Sequence, residues 1–146
     1  MEFARNVLGF RDADHEETSP GAGRLVITAL SCSLVGQRHR VTVLPGTLAA
    51  GLYGAAAADE SFYCNYGVNP DWVGRLEEGG LRVSGVGDGG EVRMVELPAH
   101  PFYVVTLFLP QARSSAAAPH PLLVGYAAAV RASSEARRRA ASGARR

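Results

Sequence analysis

The sequence predicts an α/β fold, in which mixed strands alternate with a few helices. Tyr103 to Phe108 is apolar at both odd and even positions, which is typical of a central strand buried on both faces. Two helix starts are marked by capping residues, Thr47 before an apolar segment that ends at Tyr53, and Asn69-Pro70-Asp71 before Trp72. The turn Gly87-Asp88-Gly89-Gly90 separates two alternating segments and predicts a β-hairpin.

The other elements follow from hydrophobic periodicity and from Gly and Pro breaks. We expect a helix over 1–8, a polar loop over 11–24, strands over 25–35, 38–44, 61–68, 81–86 and 91–97, and a last helix over 121–130. Few helices lie between these strands, whereas a parallel sheet needs a crossover helix for each connection. The pattern therefore predicts only part of a layered α/β sandwich.

Charge divides the chain of 146 residues into two parts. All 15 basic residues are arginine, and residues 131–146 hold six of them against one acid, Glu135. We predict one folded domain over residues 1–130 and a basic, disordered tail over 131–146. An RNA or phosphate contact is the alternative function of the tail. It is disfavoured because no aromatic residue lies among the arginines, and no nucleic-acid partner is expected.

The two cysteines, Cys32 and Cys64, show no metal-binding spacing, so neither a zinc site nor any other cofactor is expected. Both are predicted to fill core positions in a reducing compartment. No apolar run approaches the roughly 18 residues that span a bilayer, and the N-terminus lacks the features of a signal peptide. These patterns favour a cytoplasmic protein with no membrane partner.

Several blocks of sequence resemble, in order and spacing, class I glutamine amidotransferase domains. The resemblance covers residues 1–130 and is strongest to the C-terminal glutaminase region of CTP synthase and its stand-alone, region-related relatives. The blocks are Glu2-Phe3-Ala4-Arg5-Asn6, Ala13-Asp14-His15-Glu16-Glu17, 62–70, Gly79-Gly80-Leu81-Arg82-Val83-Ser84-Gly85, 91–102 and 108–111. This resemblance implies the C-terminal part of a flavodoxin-like sandwich, with its N-terminal half missing.

The resemblance also implies a Cys-His-Glu triad, in which a thiolate attacks the glutamine amide and the imidazole shuttles the proton. The family's His and Glu positions are Leu109 and Gln111 here, and its nucleophile would precede Met1. Of the family's substrate-binding positions, Glu17 keeps its residue type, whereas Asn65 replaces an arginine that binds glutamine. No intact catalytic residue is expected.

None of the four histidines is expected to replace the catalytic histidine of the family. His100 and His120 lie in turns before a strand and a helix, and we interpret both as structural. His15 and His39 lie on polar segments and are expected to be solvated. The acidic loop 14–17 is expected to be solvated rather than metal-binding, because no further oxygen ligand is spaced to close a cage.

We therefore predict a catalytically inactive, amidotransferase-like fragment related to an enzyme of pyrimidine nucleotide biosynthesis. The alternatives are a non-catalytic binding or regulatory module, a piece of a longer CTP synthase-related enzyme with a mis-assigned start, and a decayed gene product without function. Expected partners are glutamine or a related small molecule, and either a second copy or the missing N-terminal half. Unpaired strand edges predict low stability or self-association.

Overall fold

A computed structural model of the protein describes residues 1–143. The strands are β1 (Asp14–His15), β2 (Leu25–Ala29), β3 (Gln37–Val43), β4 (Ala57–Phe62), β5 (Tyr66–Val68), β6 (Arg82–Val86), β7 (Val92–Glu96) and β8 (Val104–Thr106). The α-helices are α1 (Leu48–Tyr53), α2 (Pro70–Glu78) and α3 (Pro121–Gly143). Phe3–Val7 forms a short π-helical turn and Pro110–Arg113 a 3₁₀ turn. This mixed α/β architecture confirms the predicted fold class.

The strands form two sheets. The smaller sheet has the order β1-β2-β5, and the larger has the order β4-β3-β6-β7-β8. Among the strands described, only β1 and β2 pair in parallel. Phe62 and Phe108 form an isolated antiparallel bridge, so the larger sheet curls until its two ends meet. Antiparallel pairs need no crossover helix, which explains how the chain builds two sheets with few helices.

Local sequence signals account for both short helices, as predicted. The Thr47 hydroxyl accepts a hydrogen bond from the Ala50 N–H at 3.0 Å and caps α1, which ends at Gly54 with a φ of 62°. The Asn69 side chain accepts from the Asp71 N–H at 3.0 Å, and Pro70 opens α2. Both caps satisfy backbone donors that have no partner within the helix.

The predicted hairpin is confirmed as β6 and β7, joined by Gly87–Gly90. Its second strand carries two buried charged side chains, Arg93 and Glu96. The Glu96 carboxylate accepts hydrogen bonds from the backbone N–H groups of Leu48 and Ala49, at 2.9 and 3.2 Å. A strand carboxylate therefore joins Thr47 in capping α1, where its charge also favours the helix N-terminus.

The apolar side chains form two separate cores. One lies between the larger sheet and α1 and α3, and its buried members are Leu34, Val41, Val43, Ala49, Phe62, Met94, Phe108 and Leu122. The other joins the N-terminal turn, the smaller sheet and α2, and its buried members are Ala4, Ala13, Val26, Trp72, Leu76 and Leu81.

The segment over 103–108 is not the central strand that its sequence predicted. Only Val104–Thr106 is a strand, and it is the last strand of the larger sheet. Val105 is 47% exposed and borders a cavity. A strand that borders an open cavity and a strand covered by a helix can both have apolar residues at odd and even positions. The sequence pattern alone therefore does not distinguish the two kinds of strand.

Two other predicted strands have different bounds. The segment 61–68 is divided between β4 and β5, which belong to different sheets. The strand predicted over 25–35 ends at Ala29, and Cys32 lies exposed in the turn that follows. Cys32 is therefore not a core residue, whereas Cys64, between β4 and β5, is half-buried.

The predicted end of the last helix at Val130 is wrong, because α3 continues to Gly143. The disorder predicted for the basic tail is thus not seen over 131–143, and residues 144–146 lie outside the described part. Alanine is frequent in this segment and has the highest helix propensity of all residues, which explains the extension. The boundary of the amidotransferase-like domain at residue 130 stays a prediction.

Candidate functional site

A cavity of about 520 Å³ lies where β5 of the smaller sheet meets β7 and β8 of the larger one. Loop residues on either side of β5 complete its wall. The side chains and backbone that line it come from His15, Glu17, Ile27, Val35, Tyr63, Cys64, Asn65, Tyr66, Gly67, Val68, Val92, Arg93, Met94, Val95, Val105, Thr106 and Leu107. Its walls are mostly apolar with a few polar groups, which is the usual character of a small-molecule site.

The structure brings together the two residues that sequence analysis singled out for substrate binding. Glu17 and Asn65 both line this cavity, and both are exposed. The neighbouring Glu16 holds the loop of Glu17 in place, since its carboxylate accepts a hydrogen bond from the Ala29 N–H at 2.6 Å. On the other side, the Asn65 carbonyl accepts from the Leu30 N–H at 2.8 Å, which fixes the turn before β5.

The acidic loop is more ordered than its sequence suggested. Asp14 forms an ion pair with Arg5 at 3.4 Å, and Glu16 is bound to the backbone, so only Glu17 has a carboxylate free of such contacts in this loop. Among the described residues, no group of three or more His, Cys, Asp and Glu side chains is placed to hold a metal ion.

A thiol and an imidazole also line the cavity, but no hydrogen bond joins them. The Cys64 thiol donates to the Tyr66 carbonyl at 3.0 Å. The His15 Nδ1 accepts from the Glu17 N–H at 3.1 Å, and its ring packs on Tyr66 with 5.1 Å between centroids. His15 is therefore half-buried, contrary to its predicted solvation. Both groups are occupied by local contacts and do not form a nucleophile–base pair.

Leu109 and Gln111 lie elsewhere, and neither lines this cavity. Leu109 precedes the 3₁₀ turn and donates its N–H to the Ser61 carbonyl at 2.8 Å. Gln111 lies exposed within the turn. The backbone at Leu109 is thus hydrogen-bonded to β4. The side chains of Leu109 and Gln111 cannot accept a proton as an imidazole does.

Arg93 is a polar residue of the site that sequence reasoning missed. Its side chain is only 9% exposed, and its Nε and Nη1 atoms are buried with no hydrogen-bond partner among residues 1–143. Its one ion pair is a long contact of 3.5 Å between Nη2 and the Glu91 carboxylate. The signal available in the sequence was a single arginine inside the apolar strand Val92–Glu96.

A second missed cluster is buried behind the 3₁₀ turn and centres on Glu60, whose side chain is fully buried. Tyr53 Oη donates to Glu60 Oε1 at 2.7 Å, and His120 Nε2 lies 3.0 Å from the same atom. Arg113 Nη1 lies 3.7 Å from the other carboxylate oxygen. Burial, together with the adjacent Glu60 carboxylate, raises the pKa of Tyr53 above its usual value.

The two remaining histidines have local roles. His100 Nδ1 accepts from the Phe102 N–H at 3.2 Å, which supports its interpretation as a structural turn residue. His39 is half-buried and its Nε2 lies 2.6 Å from the Gln37 Oε1, so it is not simply solvated as predicted.

No protein-family model matches the chain. The chain is similar to CTP synthases of Pyrobaculum calidifontis, with 39% identity over 139 residues, and of Methanosphaerula palustris, with 40% identity over 140 residues. These alignments cover 88% and 90% of this chain, and 26% of each CTP synthase. The chain therefore spans about a quarter of the length of these relatives.

One solved structure of similar fold is the glutaminase domain of Trypanosoma brucei CTP synthase with bound acivicin. It superposes with a TM-score of 0.81 and 27% sequence identity, over 89% of this chain and 55% of that chain. No helix of the described residues is long and apolar enough to cross a membrane. Sequence and fold agree, and the chain is a homologue of part of the glutaminase domain of CTP synthase.

Proposed function

We propose that this chain is a glutamine amidotransferase-related domain that does not hydrolyse glutamine but keeps a cavity for a small ligand. The observation that carries the proposal is the chemistry at Leu109 and Gln111, where the resemblance implies His and Glu. A leucine side chain has no atom that accepts or donates a proton, and a neutral carboxamide does not stabilise an imidazolium as a carboxylate does. Loss of a single triad member already lowers activity by several powers of ten.

Replacement of the triad by other residues has little support in the cavity. The thiol of Cys64 and the imidazole of His15 are each engaged by neighbouring backbone groups rather than by one another. A thiol without an adjacent base to take its proton is a weak nucleophile. The cavity is therefore better suited to binding than to amide cleavage, with Glu17 and Asn65 as the polar groups of the binding site.

A second candidate is supported by the extent of the match, since the chain aligns with about a quarter of each CTP synthase. On that proposal the residues belong to a longer CTP synthase-related polypeptide, in which a preceding segment supplies a Gly-x-Cys-Gly-Gly elbow. The coding sequence upstream of Met1 tests this directly. An in-frame elbow would favour the longer enzyme, whereas Leu109 and Gln111 would still argue against glutamine hydrolysis. A cytoplasmic location stays a prediction in either case.

Glutaminase activity tests the main proposal. We expect the purified chain to release no glutamate from L-glutamine above the rate of a buffer blank. The double variant Leu109→His with Gln111→Glu is expected to be equally inactive, because neither change provides a nucleophile. Turnover by the wild-type chain that disappears in Cys64→Ser would overturn the proposal and identify Cys64 as the attacking group. Activity that survives in Cys64→Ser would point to a contaminating glutaminase, which a second purification step removes.

A further inference from the structure

A second cavity, of about 370 Å³, supports an inference beyond the proposed function. It lies between the end of β2, the strand β3 and the turn of the β6–β7 hairpin, and we call it the hairpin cavity. Neither Glu17 nor Asn65 lines it. The residues in its wall that carry a charge or can take one up are His39, Arg40, Asp88, Glu91 and Arg93. The hairpin cavity is therefore a separate candidate site of mixed charge.

Arg93 lines both cavities, but its Nε atom lies beside Gly87, which belongs to the wall of the hairpin cavity and not of the first. The side chain is nine-tenths buried, and neither Nε nor Nη1 has a hydrogen-bond partner among residues 1–143. The guanidinium carbon lies 5.6 Å from the centre of the Phe62 ring, and this cation–π contact leaves the in-plane donors without an acceptor. Because buried charged donors without an acceptor cost free energy, an anion at this place would stabilise the chain.

The carboxylate of Glu91 occupies the place where such an anion would lie. A Cβ added to Gly87 would lie 2.8 Å from Glu91 Oε2 and 2.9 Å from Arg93 Nε. A Cβ added to Gly89 would lie 2.7 Å from Glu91 Oε1. The two glycines thus leave a cradle for a carboxylate beside the guanidinium. Glu91 pairs weakly there, since its side chain is 44% exposed and Oε2 lies 3.5 Å from Arg93 Nη2, beyond the length of a strong charge-assisted hydrogen bond.

We propose that the cradle of Gly87, Gly89 and Arg93 binds the oxyanion of a small phosphate, which displaces the Glu91 carboxylate into solvent. The guanidinium is covered in the free chain, and it becomes accessible once this carboxylate moves away. Exposed ion pairs contribute little to stability, so the displacement costs little. The planar fork of the arginine then donates two parallel hydrogen bonds to two phosphate oxygens.

The charges of the wall favour a phosphate over a carboxylate. Glu91 is itself a carboxylate, and its attachment to the chain gives it a high effective concentration at the guanidinium, so a free monocarboxylate does not replace it. A phosphate carries nearly two negative charges near neutral pH, and the exposed Arg40 in the same wall provides a second cation for it. Asp88 opposes an anion, but it is exposed in the turn, where water and salt screen its charge. The volume of 370 Å³ admits a phosphate monoester as well as free phosphate.

Titration calorimetry of the full chain with inorganic phosphate, glycerol 3-phosphate and acetate tests the proposal. We expect both phosphates to bind and acetate not to bind. Arg93→Gln should weaken phosphate binding about tenfold or more, the loss expected when a charge-assisted hydrogen bond is removed. Glu91→Gln should strengthen it about threefold, because the competing carboxylate is gone. Arg40→Gln should also weaken it, and Arg38→Gln is the matched control, because Arg38 is exposed on the same strand but does not line the cavity.

The sign of the Glu91 effect decides the proposal even if Arg93→Gln failed to fold, since the loss of a merely structural ion pair would not strengthen phosphate binding. Four results would overturn it: unchanged or weaker binding in Glu91→Gln, equal binding by wild type and Arg93→Gln, equal affinity for acetate, or no phosphate binding at millimolar concentration. Tighter binding of glycerol 3-phosphate than of inorganic phosphate would identify a monoester as the ligand, and the reverse order would identify free phosphate.

Nuclear magnetic resonance locates the bound phosphate in the wild-type chain. The backbone amide resonances of Gly87 and Gly89 should shift on addition of inorganic phosphate, and the same resonances should stay in place in Arg93→Gln. Shifts confined to the arginine-rich end of α3, residues 131–143, would show non-specific binding of phosphate to that helix and would overturn the proposal.

Discussion

The buried carboxylate of Glu60 accepts a hydrogen bond from His120, with 3.0 Å between Oε1 and Nε2. His120 Nδ1 accepts the Leu122 N–H at 3.2 Å, so the hydrogen-bond network places the imidazole proton on Nε2, facing the carboxylate. The imidazole connects the start of α3 to β4, a strand of the larger sheet. The contact with the Leu122 N–H agrees with the structural role predicted for His120, whereas the contact with Glu60 was not predicted.

Glu60→Ala should lower the free energy of unfolding by about 3 kcal/mol, because it leaves Tyr53, His120 and Arg113 without their common acceptor. Glu60→Gln keeps one acceptor oxygen and should cost about 1 kcal/mol. Urea unfolding followed by circular dichroism measures both values, and Asp59→Ala on the same strand serves as an exposed control. An alanine variant as stable as the control would show that the buried cluster contributes nothing to folding.

Tyr53 should make stability depend on pH in the alkaline range. Burial raises the pKa of this phenol in the folded chain, whereas the unfolded chain releases the same proton near pH 10. Above that pH the unfolded state binds fewer protons than the folded state, so the free energy of unfolding falls as pH rises.

Tyr53→Phe isolates this effect, because it removes the ionising group and keeps the ring. The variant should lose about 1 kcal/mol at neutral pH, where a hydrogen bond to Glu60 is missing. Between pH 10 and 11, urea titrations should show a smaller further loss for the variant than for the wild-type chain. Parallel pH profiles of the two proteins would contradict a raised phenol pKa.

The sequence predicted those parts of the fold that depend on neighbouring residues. Thr47 and Asn69 cap helices that start within one or two positions, and the Gly87–Gly90 turn joins strands that are adjacent in the chain. It did not predict contacts between residues far apart in the chain, such as Glu60 with His120. The sequence around a buried charged residue does not indicate which distant residue it will contact. Glu17 and Asn65 were selected through a resemblance, and the structure places both at one cavity.

Glu96 provides a test of capping across the fold. Its carboxylate accepts two N–H groups at the start of α1, so Glu96→Ala leaves one buried and one partly buried donor unpaired and should cost about 2 kcal/mol. Thr47→Ala removes the cap interaction with Ala50 and the hydrogen bond that the hydroxyl donates to the Leu44 carbonyl, and should cost about 1 kcal/mol. Glu78→Ala, at the exposed end of α2, is the matched control in the same thermal or urea unfolding experiment. If Glu96→Ala lowered the free energy of unfolding less than Thr47→Ala, the N–H groups at the start of α1 would be hydrogen-bonded to water in the Glu96 variant.

The two thiols should differ in reactivity toward a disulfide reagent such as Ellman's reagent, because Cys32 is exposed whereas Cys64 is half-buried. The Cys64 thiol is also engaged by the chain, since it donates a hydrogen bond to the Tyr66 carbonyl at 3.0 Å. Cys32→Ser should therefore remove the fast phase and leave a phase about tenfold slower or more, and Cys64→Ser should leave only the fast one. A fast phase that persists in Cys32→Ser would mean that Cys64 is activated. It would then be a nucleophile in the cavity, contrary to the inactivity proposed for this chain.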